Sequence, residues 1–288
     1  MNDFNYIKSK KIWLAGHNGL VGSSLKRNLS AIGCDVLTIS RKKLDLTDFN
    51  KVELWMRKNK PEIVIIAAAR VGGILANKNY CAEFITENLK IQTNIIEIAH
   101  KISVEKLIFL GSSCIYPLSE NKIKESDLLT GKLEKTNSSY AIAKIAGIEM
   151  CESYYRQYGS NFISLQPCNI YGEKDNFSLD DGHVIPSMIH KFHIAKKLKK
   201  KKVSLWGSGK PLREFLYVDD LSDIITKIIN SDYINDRLLN IGSGEEVSIK
   251  KLSNIIKKVV EFKGEVFFDT SFPDGAKESF WTQARFLV

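Results

Sequence analysis

The first 170 residues alternate between short apolar runs and longer segments in which apolar residues recur every three or four positions. A continuous apolar run bounded by turn residues predicts a buried strand, and the three-to-four spacing predicts an amphipathic helix. Gly33 marks the end of the first such helix. Strands are predicted at 11–16, 35–40, 62–69, 106–112 and 161–167, and helices at 20–32, about 47–59, about 82–101 and about 139–158.

This alternation predicts an α/β fold: a Rossmann-like, doubly wound parallel sheet covered by helices on both faces. Beyond Pro167 the regularity weakens, and residues 171–187 are interpreted as a loop. We therefore expect a first domain at 1–170 and a smaller C-terminal α/β lobe at 171–288, with residues 215–245 returning to the first domain. The later segments predict short strands (VSLW, EFLYVDD, LLNIGSG and EVFFD) separated by helices at 219–230 and 248–261.

Composition and charge narrow the class of protein. The aromatic share of 10% and charged share of 26% are typical of a globular protein, and no apolar run is long enough to cross a bilayer. Five scattered cysteines without metal-ligand spacing favour a reducing compartment, so a cytoplasmic protein without a metal site is expected. Six lysines within 195–202 contribute much of the net charge of +9, and without interleaved aromatics they favour a solvated helix end over nucleic-acid binding.

A glycine-rich segment, GHNGLVG, follows the first strand and opens the first helix. Gly16, Gly19 and Gly22 stand where a dinucleotide fold needs a tight turn and close approach of the backbone to a pyrophosphate. Spacing alone is a weak signal, but the strand before it and the helix after it strengthen the prediction of a dinucleotide site.

The tip of the second strand predicts which dinucleotide is bound. An NAD site usually has an acid there, whereas this chain has Ser40, Arg41, Lys42 and Lys43. A guanidinium suits a 2′-phosphate, so we expect NADP(H), the alternative being that 41–43 is a surface charge cluster. Asp45 is a candidate contact for the adenine amino group.

Candidate catalytic groups follow the fourth strand. YAIAK (140–144) places Tyr140 and Lys144 on one face at the start of a helix, where the ammonium can shift the phenol pKa toward neutrality. GSSCIYP (111–117) places Ser112 at the carboxyl end of that strand, where ligands of open α/β sheets bind.

Seven segments of the chain together form a specific pattern. They are GHNGLVG, AAARVGGILANK (67–78), GSSCIYP, SSYAIAKIAGIEMCESYYRQYG (138–159), PCNIYGEKDNF (167–177), GHVIP (182–186) and WGSGKPLREFLYVDD (206–220). With these segments the chain resembles the GDP-L-fucose synthase family of extended short-chain dehydrogenases/reductases over about residues 11–275. The resemblance implies NADPH-dependent 3,5-epimerisation and 4-reduction of a GDP-4-keto-6-deoxy-sugar.

Site residues are carried over from this resemblance position by position. Ser112, Tyr140 and Lys144 take the reductase positions, and Cys114 and His183 those of the epimerisation base and acid. Inversion next to a ketone independently needs one group to remove a proton and another to return it. Cofactor contacts are expected at Gly16, His17, Asn18, Gly19, Leu20, Val21, Gly22, Arg41, Asp45, Ala68, Leu110, Ser113, Tyr140, Lys144, Pro167, Asn169, Ile170 and His183, and substrate contacts at Asn169, Lys191, Trp206 and Arg213.

Each assignment has a plainer alternative. Cys114 is otherwise a packing residue, His183 a structural loop histidine, Trp206 a core side chain and Arg213 part of a buried ion pair. Cys34, Cys81 and Cys151 match no chemical position of the family and are expected in the core.

The chain departs from the family pattern at two places. Lys191 replaces a common arginine, and after 273–275 the sequence AKESFWTQARFLV differs from the usual TPRKLLD continuation. This leaves open a GDP-4-keto-6-deoxy-heptose substrate, weakened activity, or a non-catalytic NADP-binding protein. A 4,6-dehydratase is disfavoured because it would have an Asp-Glu pair where Ser113 and Cys114 stand, and a UDP-sugar 4-epimerase is disfavoured because it needs no Cys/His pair. Family likeness also implies a homodimer through the helices at 82–101 and 139–158.

Overall fold

A computed structural model describes residues 4–117, 123–179, 182–231 and 236–272 of the chain. The main sheet in these ranges has six strands, all parallel, in the spatial order β2-β1-β3-β4-β5-β9. These strands are β1 (Lys11–Ala15), β2 (Asp35–Leu37), β3 (Ile63–Ile66), β4 (Lys106–Leu110), β5 (Phe162–Pro167) and β9 (Leu238–Ile241).

Helices cover the sheet in two packed groups, which confirms the doubly wound α/β prediction. One group packs α5 (Cys81–Lys101) against α6 (Ser138–Tyr158) and α3 (Phe49–Asn59), and the other packs α2 (Leu20–Ile32) against α8 (Val218–Asn230). Gly33 ends α2 in the left-handed conformation, at φ +92°, as the sequence predicts. The short helices α1 (Asn5–Lys8) and α4 (Ile74–Asn79) were not predicted.

The first core is built by the continuous apolar strands. Residues of β1, β3, β4 and β5 are almost completely buried, as expected for a parallel sheet covered on both faces.

Hydrogen bonds between side chains also join α2 to α8 across nearly 200 residues of sequence. Asp219 accepts from Arg27 at 2.7 Å and from Ser24, and Asp223 accepts from Asn28.

A second set of elements forms a smaller lobe. A three-stranded sheet joins β6 (Asn169–Tyr171), β8 (Leu212–Tyr217) and β10 (Glu246–Ser248), and β7 (Lys202–Trp206) pairs with β11 (Glu265–Asp269). Its own core lies between α7 (Val184–Lys197) and α9 (Ile249–Val260) and includes Phe192 and Phe262. Strand β9 belongs to the main sheet and α8 packs on α2, while the domain boundary at residue 170 stays a prediction.

Two predicted segments differ from the structure. The second strand ends at Leu37 rather than at residue 40, and the predicted loop at 171–187 begins with the last residue of β6 and ends with the first turn of α7. The lysine-rich segment 195–202 is exposed beyond Ala195 and spans the end of α7, a turn and the start of β7. Within it, Lys196 pairs with Glu261 at 2.9 Å.

Candidate active site

The glycine loop joins β1 to α2 by close backbone packing. Gly16 has φ +94°, and a Cβ added there would lie 2.5 Å from the backbone nitrogen of Ala68, while a Cβ on Gly22 would lie 2.1 Å from the Gly16 carbonyl oxygen. Both positions therefore require glycine. The loop is thus held against the backbone of Ala67 and Ala68, just after β3, and the cofactor contact of Ala68 stays a prediction.

The first turn of α2 fits a phosphate. Its N-cap residue, Gly19, makes no side-chain capping bond, and the turn carries no acidic residue. A Cβ added at Gly19 would meet only the Gly16 carbonyl oxygen, at 3.7 Å, so the surface above the loop is open. Uncapped backbone N–H groups at a helix N-terminus bind anions, which supports the predicted pyrophosphate site. His17 and Asn18 lie in the loop, and Leu20 and Val21 in the first turn.

The residues after β2 make defined polar contacts. The Arg41 guanidinium lies 3.3 Å from the Glu87 carboxylate of α5 and its side chain is 79% exposed. A ligand can therefore reach this guanidinium despite the ion pair. Asp45 accepts hydrogen bonds from the backbone N–H and the hydroxyl of Thr47 through one oxygen, and these bonds lower the pKa of its carboxyl. The adenine contact of Asp45 stays a prediction.

The turn after β4 positions Ser112 and Cys114. The backbone N–H of Ser112 donates to the side-chain oxygen of the buried Gln166 at 2.9 Å, and the Ser112 hydroxyl caps the short 3₁₀ helix Ser113–Ile115 by accepting from the Cys114 N–H. Burial raises the pKa of the Cys114 thiol to about 11, opposed by the Ser112 hydrogen bond and by the charge of Lys144. The thiol is therefore protonated at neutral pH.

Lys144 and Tyr140 lie on one face of α6, next to this turn. The Lys144 ammonium lies 4.7 Å from the centre of the Phe109 ring and 5.7 Å from that of Tyr140, and it donates a hydrogen bond to the Leu110 carbonyl oxygen. Burial lowers the pKa of Lys144 to about 8. The expected lowering of the Tyr140 pKa is not found, because burial and the nearby Cys114 raise it. The phenol thus keeps its proton and can act as a donor.

His183 lies on a separate element, the start of α7. It is the N-cap residue of that helix, it is about half exposed, and its Nδ1 lies 3.4 Å from the Asp175 carboxylate. The structure thus brings Ser112, Cys114, Tyr140 and Lys144 together and places His183 in the second lobe. Its role as the epimerisation acid stays a prediction.

The predicted substrate residues lie on β6, α7, β7 and β8. Asn169 donates to the Glu214 carbonyl oxygen at 2.9 Å, and Arg213 donates to the Leu212 carbonyl oxygen at 2.6 Å. The polar ends of both side chains are thus fixed in the second lobe. Of the predicted cofactor contacts near Asn169, Pro167 is the last residue of β5 and Ile170 lies within β6.

Trp206 is not a core residue. It is 49% exposed, it stacks on Phe272 with ring centres 4.6 Å apart, and the Lys191 ammonium lies 5.3 Å from its ring. Burial lowers the pKa of Lys191. The substrate contacts of Trp206 and Lys191 stay predictions. The divergent segment 276–288 lies outside the described residues.

The unassigned cysteines differ in burial. Cys151 is buried as predicted and Cys34 is partly buried, but Cys81 is exposed at the first position of α5, so its expected place in the core was wrong. Among the described residues, no group of three or more His, Cys, Asp or Glu side chains could hold a metal, and no helix is long and apolar enough to span a bilayer.

Sequence reasoning missed several residues that touch the site. Gln166 is a polar side chain inside the apolar run of β5, and that interruption was the available signal. Arg70 follows the third strand, and Phe272 stacks on Trp206. Neither shows a local pattern that distinguishes it from a surface residue.

A doubly wound sheet with a glycine loop after β1, and with serine, tyrosine and lysine gathered at the end of β4, defines a nucleotide-dependent oxidoreductase of the short-chain type. The model of the NAD dependent epimerase/dehydratase family matches residues 12–242. A GDP-L-fucose synthase of Sinorhizobium fredii is 49% identical over 98% of this chain and 90% of the relative, and that of Escherichia coli is 43% identical over 93% and 87%. The chain belongs to the GDP-L-fucose synthase family.

Solved structures agree with this placement. A GDP-L-fucose synthetase from Naegleria fowleri bound to NADP superposes with a TM-score of 0.88 at 29% identity, covering 96% of this chain and 86% of that one. A GDP-mannoheptose C4 reductase from Campylobacter jejuni with NADP bound superposes with a TM-score of 0.86 at 38% identity, covering 94% and 89%.

Proposed function

We propose that this protein is an NADPH-dependent enzyme that epimerises a GDP-4-keto-6-deoxy-sugar at C3 and C5 and reduces its C4 ketone. The gathering of Ser112, Cys114, Tyr140 and Lys144 at the end of β4 carries the proposal. These four side chains supply a carbonyl ligand, a thiol, a phenol and an ammonium within one turn and one helix face. Membership in the GDP-L-fucose synthase family supports the choice of substrate class.

The cofactor would be held by the glycine loop, the first turn of α2 and Arg41, and when bound it supplies the hydride for C4. Ser112 binds the C4 oxygen, which polarises the ketone and makes the protons on C3 and C5 acidic. Cys114 removes such a proton, and His183 returns one to the opposite face of the sugar. Tyr140, protonated at neutral pH, donates its proton to the C4 oxygen during reduction, while Lys144 stabilises the phenolate that remains.

The second lobe would hold the nucleotide diphosphate. Lys191 and Arg213 provide positive charge for the phosphates, and the half-exposed ring of Trp206 provides an aromatic contact for the base. Because Lys191 is a single ammonium rather than a guanidinium fork, it contributes charge without two-point geometry.

The proposal includes a homodimer through α5 and α6 and a cytoplasmic location. Tyr155 and Tyr158, which share one face of α6, are exposed to 36% and 56%, which suits a face that is covered by a second copy. Sedimentation of the purified protein over a range of concentrations tests the dimer, and a single species with the mass of one chain contradicts it.

The activity is tested by incubating the protein with GDP-4-keto-6-deoxy-mannose and NADPH in deuterium oxide. We expect NADPH oxidation and, by NMR, deuterium at C3 and C5 of the product, with Tyr140→Phe losing oxidation. The alternative substrate, a GDP-4-keto-6-deoxy-heptose, is supported by the likeness to the Campylobacter jejuni reductase and is assayed in parallel. If neither sugar causes NADPH to be oxidised, under conditions in which NADP+ still binds, then the protein binds the cofactor without catalysing the reaction.

A further inference from the structure

Two arginines converge on one carboxylate near the glycine loop. One oxygen of Glu87 lies 3.3 Å from the Arg41 guanidinium, and its other oxygen lies 2.5 Å from that of Arg70. Glu87 is 23% exposed and Arg70 31%, so this pair is only partly hydrated. A single acid therefore bridges two guanidiniums that come from the loops after β2 and β3.

Arg70 is held more firmly than Arg41. Its backbone N–H donates to the Asn88 side chain at 2.9 Å, and its carbonyl oxygen accepts from the same side chain at 3.0 Å. The guanidinium also lies 5.4 Å from the ring centre of Phe84 and 5.8 Å from that of Tyr80. The buried Asn88 thus fixes the Arg70 backbone, and two rings support its side chain.

The position of Arg70 follows from the packing of the loop after β3. Ala68, two residues earlier, has its backbone against Gly16 of the glycine loop. Arg70 therefore lies on the same side of the sheet ends as the proposed cofactor site, and its shared contact with Glu87 brings it next to Arg41.

A phosphate monoester is the ligand that two adjacent guanidiniums recognise best, because each presents N–H groups in a planar fork to its oxygens. Resting on the proposed NADP(H) dependence, we propose that Arg70 is a second arginine for the 2′-phosphate beside Arg41. We also propose that Glu87 limits the preference for that phosphate by competing for both arginines.

The charges set the sign of each effect. A 2′-phosphate near the two arginines also lies near Glu87, and the two negative charges repel each other. For the phosphate to bind, Glu87 must lose at least one of its contacts with the guanidiniums. Neutralising Glu87 therefore strengthens binding of the 2′-phosphorylated ligand, and removing the Arg70 charge weakens it. The affinity for a ligand with a free 2′-hydroxyl changes little with either substitution.

The experiment measures binding of 2′,5′-ADP and of 5′-ADP by titration calorimetry, without any sugar. Relative to the unaltered protein, Arg70→Gln is expected to weaken 2′,5′-ADP binding about tenfold, and Glu87→Gln is expected to strengthen it several-fold. In both variants the affinity for 5′-ADP should stay within about twofold of that of the unaltered protein. Raising the salt concentration shrinks both differences. The matched controls are Arg57→Gln, from the Arg57–Glu53 pair of α3, and Glu97→Gln, from the Glu97–Lys101 pair about 15 Å further along α5.

The outcomes separate this inference from the cofactor assignment. If the unaltered protein binds 2′,5′-ADP no better than 5′-ADP, the NADP(H) proposal itself fails. If it prefers 2′,5′-ADP but Arg70→Gln keeps that preference, Arg70 is not a phosphate ligand. If Glu87→Gln weakens 2′,5′-ADP binding instead, Glu87 orients the arginines rather than competing for them, and the second part of the inference is overturned.

Discussion

The ammonium of Lys144 donates a 2.8 Å hydrogen bond to the carbonyl oxygen of Leu110, and this bond joins helix α6 to the last residue of strand β4. The two elements carry the phenol of Tyr140 and the turn of Ser112 and Cys114. A buried lysine thus fixes the distance between the proton donor and the carbonyl ligand, at the expense of desolvating its own charge.

Lys144 makes the stability of the protein depend on pH. The pKa of Lys144 is about 8 in the folded protein, below its ordinary value of 10.5. Above pH 8 the unfolded chain therefore binds a proton that the folded protein has released, so a rise in pH favours folding. From pH 8 to 9, the free energy of unfolding should rise relative to Lys144→Met, as measured by urea unfolding at constant ionic strength. Parallel pH profiles for the two proteins would contradict the lowered pKa.

Cys114 should make epimerisation faster at higher pH. The pKa of Cys114 is about 11, so the thiolate that removes a carbon-bound proton is a minor species whose population rises tenfold per pH unit. We expect kcat/KM for deuterium uptake at C3 and C5 to rise roughly tenfold per pH unit, or about a hundredfold between pH 7 and 9. Cys114→Ser should lose the uptake, and Cys34→Ser should keep it. A flat profile, or uptake that survives in Cys114→Ser, would remove the thiol from the mechanism.

Alanine substitutions at Gly16 and Gly33 distinguish the cost of a positive φ from the cost of a steric clash. Both have positive φ, at +94° and +92°, but a Cβ meets the Ala68 backbone at Gly16 and nothing within 4 Å at Gly33. Gly33→Ala should cost about 1 kcal/mol of unfolding free energy and leave NADP+ affinity unchanged. Gly16→Ala should cost more and should also weaken NADP+ binding. Equal losses in chemical denaturation for both variants would mean that the close packing of the loop is not needed.

Trp206 should contribute to substrate affinity and little to chemistry. Its ring is stacked on Phe272 and half exposed, and it lies on β7 rather than in the turn that carries Ser112. Trp206→Ala is expected to raise KM about tenfold with kcat nearly unchanged, since a stacked base loses about 1–3 kcal/mol without its aromatic platform. Phe267→Ala, which removes a 58% exposed ring from β11, is the control. A fall in kcat at constant KM would place Trp206 in the reaction itself.

The sequence predicts best those parts of the fold that depend on burial and local spacing. Continuous apolar runs identify β1, β3, β4 and β5, and the four-residue spacing of Tyr140 and Lys144 correctly puts both on one face of α6. The start of α7 was missed because residues 171–187 were interpreted as one loop, although Pro186 is compatible with a helix start. A proline is tolerated in the first turn of a helix, where its missing N–H has no helical partner.

Contacts between distant segments could not be predicted from local patterns. The carboxylate of Glu87 meets Arg41 across 46 residues and Arg70 across 17, and the Ser112 N–H meets Gln166 across 54. The pKa of Tyr140 was predicted with the wrong sign, because the sequence shows the neighbouring charge but not the burial that outweighs it. Such quantities depend on packing, which is set by the whole fold.

The position of β9 in the sheet has a consequence for how the protein is made. Residues 238–241 supply the last strand of the main sheet, beside β5, which ends more than seventy residues earlier in the chain. A growing polypeptide on the ribosome therefore carries β5 with an open, unpaired edge until residues 238–241 have been made. During that interval the nascent chain is exposed to strand pairing with its neighbours, and we expect chaperone dependence in the cell to be greatest there.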